Sequence, residues 1–123
     1  MAPSAEAEAD MSRERYGPVA PVDRSVLAVS TFGNAELEQE VLRLFLSQSQ
    51  MLISRIAEAS ATVAAADHVH TLKGSARAIG AGRLADVCET VEEELRAGEG
   101  PALLTLVSLV EEACDYIRHQ LLR

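Results

Sequence analysis

Apolar residues recur every three or four positions along four long stretches of this 123-residue chain. That spacing places them on one face of an α-helix. Apolar residues make up 48% of the sequence but aromatic residues only 3%, and this balance favours packed helices over a sheet, which uses more aromatic and β-branched side chains. Because the breaks between the stretches are short, we predict an all-α fold, an antiparallel up-down four-helix bundle with a short additional N-terminal helix.

Capping and helix-breaking residues set the predicted helix boundaries. A short first helix begins after Asp23 and ends near Ser30, with Val26, Leu27 and Val29 turned toward the core. The long helices are predicted over residues 35–59, 60–80, 83–97 and from 101 onward, with Asn34 and Ser60 as N-caps, Gly80 in the left-handed conformation that ends a helix, and Pro101 at a first helical position.

One face of each long helix supplies the predicted core. On the second helix this face consists of Leu37, Val41, Leu44, Phe45, Met51, Leu52 and Ile56, and on the third of Val69, Leu72, Ala76 and Ile79. On the fourth helix it consists of Leu84, Val87, Cys88, Val91 and Leu95, and on the fifth of Leu103, Leu106, Val107, Val110, Cys114, Ile117 and Leu121.

Composition and charge exclude several classes of function. The formal net charge of −8 argues against nucleic acid as the main partner, because phosphate binding needs a basic surface. Residues 1–17 lack apolar periodicity and are predicted to be a disordered acidic tail, with one domain over residues 18–123. The longest uncharged runs, residues 100–110 among them, have eleven residues and are far too short to span a membrane, and the N-terminus has no secretory signal. Cys88 and Cys114 fall in helical patterns as small apolar residues, so we expect a reduced, cytoplasmic protein. We also expect a monomer.

A line of polar and small residues runs along the exposed face of the predicted third helix. With residues about 100° apart, His70, Lys73, Gly74 and Arg77 are spaced i, i+3, i+4 and i+7 on the side opposite the core. The imidazole of His70 is therefore expected to face solvent beside a cation.

Gly74 and Lys73 are unusual choices for this line. A glycine inside a helix costs about 1 kcal/mol relative to alanine, and it either lets a partner approach His70 or marks a weak point or early end of the helix. Lys73 is the only lysine among eleven basic residues. A retained lysine suggests a compact, mobile charge that can follow a phosphoryl group.

Charge is unevenly distributed around this helix. Residues 68–84 contain the cations Lys73, Arg77 and Arg83 and no acid, whereas residues 86–99 contain six acids and one arginine. Such a basic island suits an anionic partner surface. A solvated helix face with uneven charge is the other interpretation.

The segment His70 to Ala81, HTLKGSARAIGA, followed by Leu84, resembles the H-x-x-K-G-S-x-x-x-x-G signature of histidine-containing phosphotransfer domains. The resemblance extends over LRLFL on the second helix and over the segment from Asp23 to Leu27, so that it spans roughly residues 22–122. It implies that the chain relays a phosphoryl group between receiver-domain aspartates in two-component signalling. The implied partners are response-regulator receiver domains and a hybrid histidine kinase. No cofactor is expected on this chain, and Mg²⁺ is expected on the receiver.

The resemblance also implies roles for individual residues. His70 would accept the phosphoryl group, Lys73 would offset its charge, and Gly74 would clear the docking surface. Glu92 stands where the family often places a Gln or Glu that hydrogen-bonds the imidazole, although a solvated glutamate within a run of three is equally consistent with the sequence. The residues expected at the partner surface are Ala66, Ser75, Arg77, Ala81 and Arg83.

Other functions were weighed against this one. The chain has neither a Walker loop nor a Gly-rich phosphate cradle, which argues against autokinase activity and against an enzyme. The dimerisation domain of sensor kinases usually follows its histidine with an acidic residue, whereas His70 is followed by Thr-Leu-Lys. Metal binding by His68 and His70 is disfavoured, because residues i and i+2 point about 200° apart on a helix; His68 and His119 are expected to be ordinary surface residues. A helical adaptor that binds receiver domains without being phosphorylated remains the alternative.

The chain begins at Met1 and contains this one unit. We therefore expect a free-standing protein rather than a fragment of a hybrid kinase.

Overall fold

The computed structural model describes residues 19–123, so the predicted tail over residues 1–17 lies outside the described residues. Over the described range the chain is helical and contains no strand, which confirms the predicted all-α class. The helices are α1 Arg24–Ser30, α2 Ala35–Glu58, α3 Thr62–Ile79, α4 Gly82–Arg96 and α5 Leu104–Tyr116, followed by a π-helical turn Ile117–Leu121.

The four long helices form the bundle, and α1 is the additional N-terminal helix. Short connections join α2 to α3 and α3 to α4, so these neighbours run antiparallel. Helix α3 packs between α2 and α4, while α5 packs against α4 and α2. None of the helices in the described part of the chain is long and apolar enough to cross a membrane.

The core face of α3 matches its prediction. Val69, Leu72, Ala76 and Ile79 are all at most 1% exposed. Because a helix has 3.6 residues per turn, burial of this face turns the opposite face of α3 toward solvent. That constraint fixes the direction in which His70 points.

Helix α1 is anchored to the C-terminal end of α3. Asp23 caps α1 as predicted by accepting a hydrogen bond from the backbone N–H of Ser25 at 2.9 Å. The backbone N–H of Asp23 donates to the carbonyl of Gly80 at 2.9 Å, and the Ser30 hydroxyl donates to the carbonyl of Ala78 at 2.7 Å. Gly80 has a φ of 75°, as predicted, and a Cβ there would lie 2.6 Å from the Asp23 carbonyl oxygen. Glycine is thus required at this position both for the left-handed turn and for the close approach of α1.

Fewer residues of α1 are buried than predicted. Leu27 is fully buried, but Val26 is 38% and Val29 is 78% exposed. A helix of seven residues makes only two turns, and it contacts α3 along a single line. The prediction that Val26 and Val29 face the core was therefore wrong.

Three residues of the predicted core face of α2 are also exposed. Leu37, Leu44 and Met51 lie on the surface, whereas Leu42, which the prediction left out, is fully buried. The apolar arc of α2 is wider than the surface that its neighbours cover, so the edge of that arc stays in water.

Two predicted helix starts were wrong. The N-cap of α3 is Ala61 rather than Ser60, and it makes no side-chain cap. Helix α5 begins at Leu104, three residues after Pro101. Proline fixes its own φ but cannot by itself start a helix, and Leu103, which packs on the core, precedes the first helical residue. Asn34 does cap α2, by accepting from the N–H of Leu37 at 3.0 Å.

Candidate functional site

His70 lies in the middle of α3 with its side chain 63% exposed. Its Nδ1 atom lies 3.2 Å and 3.1 Å from the two carboxylate oxygens of Glu92 on α4. Within the described residues the hydrogen bonds of this ring all use Nδ1, so Nε2 points away from Glu92 toward solvent. The exposed imidazole is thus held by one edge while its other edge stays accessible.

Glu92 is a buried carboxylate with several donors around it. Only 8% of the residue is exposed, although Glu93 beside it lies on the surface. Lys73 Nζ lies 2.7 Å from Oε1, and Arg96 donates to Oε2 through Nε at 3.1 Å, with its Nη2 also 3.0 Å from that oxygen. The sequence left open whether Glu92 was a solvated side chain, and the structure excludes that interpretation.

The donors around Glu92 keep it ionised. The hydrogen bond from Lys73 is the largest influence, and those from Arg96 and His70 add to it, so that the pKa of Glu92 is lowered to about 2 despite the opposing effect of burial. An ionised carboxylate can only accept hydrogen bonds. The proton between His70 and Glu92 therefore sits on Nδ1, and a neutral ring then carries its lone pair on Nε2.

The helical spacing predicted that Lys73 belongs to an exposed line of α3, and this prediction was wrong. Its side chain is only 13% exposed, because it leans from α3 toward α4 to reach Glu92. An ammonium group has three donors, so the bond to Glu92 uses one and leaves others for a group that arrives beside His70. In the free protein Lys73 donates to Glu92, and its movement with a phosphoryl group stays a prediction.

Gly74 lies one turn after His70. A Cβ built at this position would meet nothing within 4 Å. No packing inside the described structure therefore requires glycine here, and the absence of a side chain leaves open surface next to the imidazole.

The predicted partner residues fall into two groups. Arg77 is 58% exposed and Arg83 is 46% exposed, while Ser75 is half-buried. Ala66 and Ala81 are buried, at 0% and 1% exposure, so the expectation that they border a partner surface was wrong.

The burial of both alanines has a structural reason. Ala66 lies on the side of α3 that α4 covers, the same side from which Lys73 reaches Glu92. Ala81 follows the left-handed turn at Gly80 and acts as the N-cap of α4, so it no longer lies on the wheel of α3.

The basic island is largely paired with acids. Lys73 pairs with Glu92, Arg77 lies 3.9 Å from Glu89, and Arg83 forms an ion pair with Glu112. These acids come from α4 and α5, so a cluster of cations along the sequence is not a patch of unbalanced positive charge in space.

Two residues of the site were not predicted. Arg96 contacts Glu92 and also lies 3.3 Å from Asp67 on α3, so it links the two helices beside His70. The i, i+4 spacing of Glu92 and Arg96 on one helix was the available signal. Asp67 lies three residues before His70 and hence on the same face.

The other histidines lie outside this site. His68 is half-buried, and His119 is exposed in the π-helical turn and contacts Asp115 near the end of α5. Within residues 19–123, no group of three or more His, Cys, Asp or Glu side chains has the arrangement needed to hold a metal ion.

Residues 40–120 match the family model described as Hpt domain, which covers more than half of the chain and lies within the span predicted from the motif. Searches among curated proteins and among solved structures returned no match. Hpt domains are phosphocarrier modules of two-component phosphorelays, and they interact with receiver domains and histidine kinases. The match and the bundle agree, and the chain therefore belongs to the Hpt domain family.

Proposed function

We propose that this chain carries a phosphoryl group on Nε2 of His70 and relays it between the aspartates of receiver domains. The observation that carries the proposal is the contact between Nδ1 of His70 and the buried Glu92 carboxylate, on a ring that is otherwise 63% exposed. This arrangement orients the ring and keeps its nucleophilic nitrogen available to a partner.

The transfer balances in atoms and charge. The lone pair of Nε2 attacks phosphorus of an aspartyl phosphate, the bond from phosphorus to the aspartate oxygen breaks, and the carboxylate leaves with the electron pair. Nδ1 keeps its proton, so the phosphorylated ring is cationic, and the adjacent Glu92 carboxylate compensates that charge. The reverse attack by a second aspartate releases the neutral ring. No proton has to leave the imidazole in either direction.

The surrounding residues support this exchange. Lys73 holds Glu92 and offers its remaining donors to the phosphoryl oxygens. Gly74 leaves room for the receiver, and Arg77, Arg83 and Ser75 lie where a docked partner would extend. The receiver is expected to bring Mg²⁺, which supplies charge stabilisation to the phosphoryl group. This chain then has to present a nucleophile on a rigid helix.

A transfer experiment tests the proposal. The protein is incubated with a phosphorylated receiver domain and Mg²⁺, and it should acquire an acid-labile, alkali-stable phosphate. His70→Gln should abolish this label, whereas His119→Gln is the matched control and should retain it. A label that survives in His70→Gln would exclude His70 as the acceptor. Binding of receivers without any labelling would instead favour the adaptor function.

A further inference from the structure

Asp67 lies on α3 about one turn before His70. Its side chain is 67% exposed. Residues three positions apart on a helix share a face, with Cβ atoms about 5–6 Å apart. The motif that located His70 begins at the histidine itself, so it assigns no role to this carboxylate. The steps proposed for the transfer do not use Asp67, although it is a negative charge beside the nucleophile.

The contacts of Asp67 link it to the group that holds the imidazole. Oδ1 of Asp67 lies 3.3 Å from Nη2 of Arg96, and the same Nη2 lies 3.0 Å from Oε2 of Glu92. Arg96 also donates to that oxygen through Nε at 3.1 Å. One guanidinium is thus shared between two carboxylates, and Asp67 takes part of its hydrogen-bonding capacity.

The charges of the side chains linked to His70 balance while the ring is free. Lys73 and Arg96 supply two positive charges, and Glu92 and Asp67 supply two negative ones. A phosphoryl group brings about two negative charges, and the ring that carries it gains one positive charge because Nδ1 keeps its proton. The phosphorylated site therefore has about one negative charge in excess, and without Asp67 its charges would balance.

The two carboxylates act on different parts of the phosphorylated ring. The side chain of Glu92 is only 10% exposed and contacts Nδ1, the edge on which the positive charge is held. Asp67 is exposed on the face of α3 from which His70 projects, and the phosphoryl oxygens arrive on that face. Glu92 therefore stabilises the cationic ring, whereas Asp67 repels the phosphoryl group.

We propose that Asp67 lowers the share of phosphoryl groups that stay on His70 and so favours net transfer from this chain to the receiver. Its carboxylate repels the phosphoryl oxygens and keeps part of Arg96 away from them. The bonds that form and break are those of the proposed transfer, and Asp67 changes only the position of that equilibrium. This inference rests on the proposed function, to which it adds a residue that sets the direction of net transfer.

The equilibrium of phosphoryl exchange measures this role separately from docking. The probe is the receiver domain of the source organism that labels wild type fastest, mixed with this protein in the presence of Mg²⁺. The labelled fractions of both proteins are read from both starting directions, within the time in which the total label stays constant. A residue that acts only on docking changes how fast these fractions are reached but not their final values, because the equilibrium constant compares the free proteins.

Asp67→Asn should raise the equilibrium constant for phosphorylation of this chain about threefold to tenfold, the effect expected in water for a carboxylate about 6–10 Å from a doubly charged phosphoryl group. At about 1 M salt the Debye length is about 3 Å, and this difference from wild type should fall below about twofold. Asp67→Glu keeps the charge and should stay close to wild type. Glu111→Gln is the matched control, because Glu111 is exposed on α5 and its loss changes the net charge by the same amount.

The outcomes separate this inference from the function on which it rests. If Asp67→Asn gave the same equilibrium constant as Glu111→Gln, or a lower one, Asp67 would not set the direction of transfer. An equal shift in Asp67→Glu would assign the effect to side-chain shape and would also overturn the inference. So would a change in the rate of labelling alone, which would place Asp67 in docking. If wild-type His70 took no label from any receiver, the proposed function itself would fail. Circular dichroism melting checks that each variant is folded.

Discussion

At the scale of single residues, Gly74 combines an unfavourable helix propensity with empty space around it. A Cβ at this position meets nothing in the described structure, so Gly74→Ala should raise the free energy of unfolding by about 0.5–1 kcal/mol. The longer side chain of Gly74→Gln should slow transfer from a phosphorylated receiver, because it occupies the surface beside His70.

Urea unfolding and transfer kinetics check this pair of variants. The control is Ser108→Gln, an exposed position on α5. A Gly74→Ala protein that is less stable than wild type would show that the helix needs glycine for its own structure. If Gly74→Gln accepted phosphate at the wild-type rate, this would show that no partner approaches the surface at position 74.

Arg96 is a positioning residue that acts through Glu92. It contacts Oε2 of Glu92 with two nitrogens and is itself linked to Asp67. We expect Arg96→Ala to loosen the carboxylate, so that the Nδ1–H tautomer of His70 becomes less populated and the rate of phosphotransfer falls. Arg96→Lys should restore part of the tautomer population and part of the transfer rate, because it keeps a cation near Glu92 but not the contact through two nitrogens.

Nitrogen NMR of the imidazole measures the tautomer directly. Arg118→Ala is the control, since Arg118 is exposed on the C-terminal π-helical turn rather than on α3 or α4. If Arg96→Ala changed stability but left both the tautomer and the transfer rate at wild-type values, its role would be structural alone.

At the scale of elements, Glu92 ties α3 to α4, and this link depends on pH. Its pKa in the folded chain is about 2, below its usual 4.5, chiefly because Lys73 donates to it. A lowered pKa means that the ionised form stabilises the fold, fully above about pH 4.5 and progressively less as the pH falls toward 2. Glu92→Gln should therefore lower the free energy of unfolding at pH 7 by about 1–3 kcal/mol.

The difference in the free energy of unfolding between wild type and Glu92→Gln should become smaller as the pH falls from 5 to 2.5. Urea unfolding at several pH values measures it, with Glu93→Gln as the control because Glu93 is exposed on the same helix. If this difference in the free energy of unfolding stayed constant across the range, the ionised carboxylate of Glu92 would not be its cause.

The sequence predicted the elements better than the width of their buried faces. Helical spacing placed Val69 and Leu72 in the core correctly, because α3 has neighbours on several sides. The same rule failed for Leu44 and Val29, since spacing indicates that residues share a face but not whether another helix covers it.

The site was predicted in part for a similar reason. The motif located His70 and Gly74 within α3, and helical spacing predicted the direction of the imidazole. Contacts between helices were harder to foresee: the burial of Lys73 against Glu92 and the link from Arg96 to Asp67 depend on how α4 packs on α3. Neither the separation in sequence nor the local run of glutamates contains that information.

At the scale of the whole molecule, the two free thiols report on global opening. Cys88 and Cys114 are both fully buried in the core, and burial raises the pKa of Cys88 to about 12. A buried, protonated thiol reacts only after the structure opens. We expect an aromatic disulfide reagent to label both cysteines slowly in buffer and faster in proportion to the unfolded population as urea is added.

An engineered Ser47→Cys, exposed on α2, supplies the control and should react at once. Absorbance of the released thiolate follows the reaction. Rapid labelling of wild type without urea would show that the bundle opens locally around one of the two cysteines.

In descendants of this sequence, the residues that contact Glu92 and the glycine at position 74 should be retained to different extents. A lineage that stops exchanging phosphate still gains from Glu92 and Lys73, because they join α3 to α4 whatever happens at His70. Nothing inside the described structure retains Gly74, and nearly every replacement favours the helix. After a gene duplication, the copy that has left the relay should therefore be recognised by the early loss of this glycine, while its buried ion pair persists.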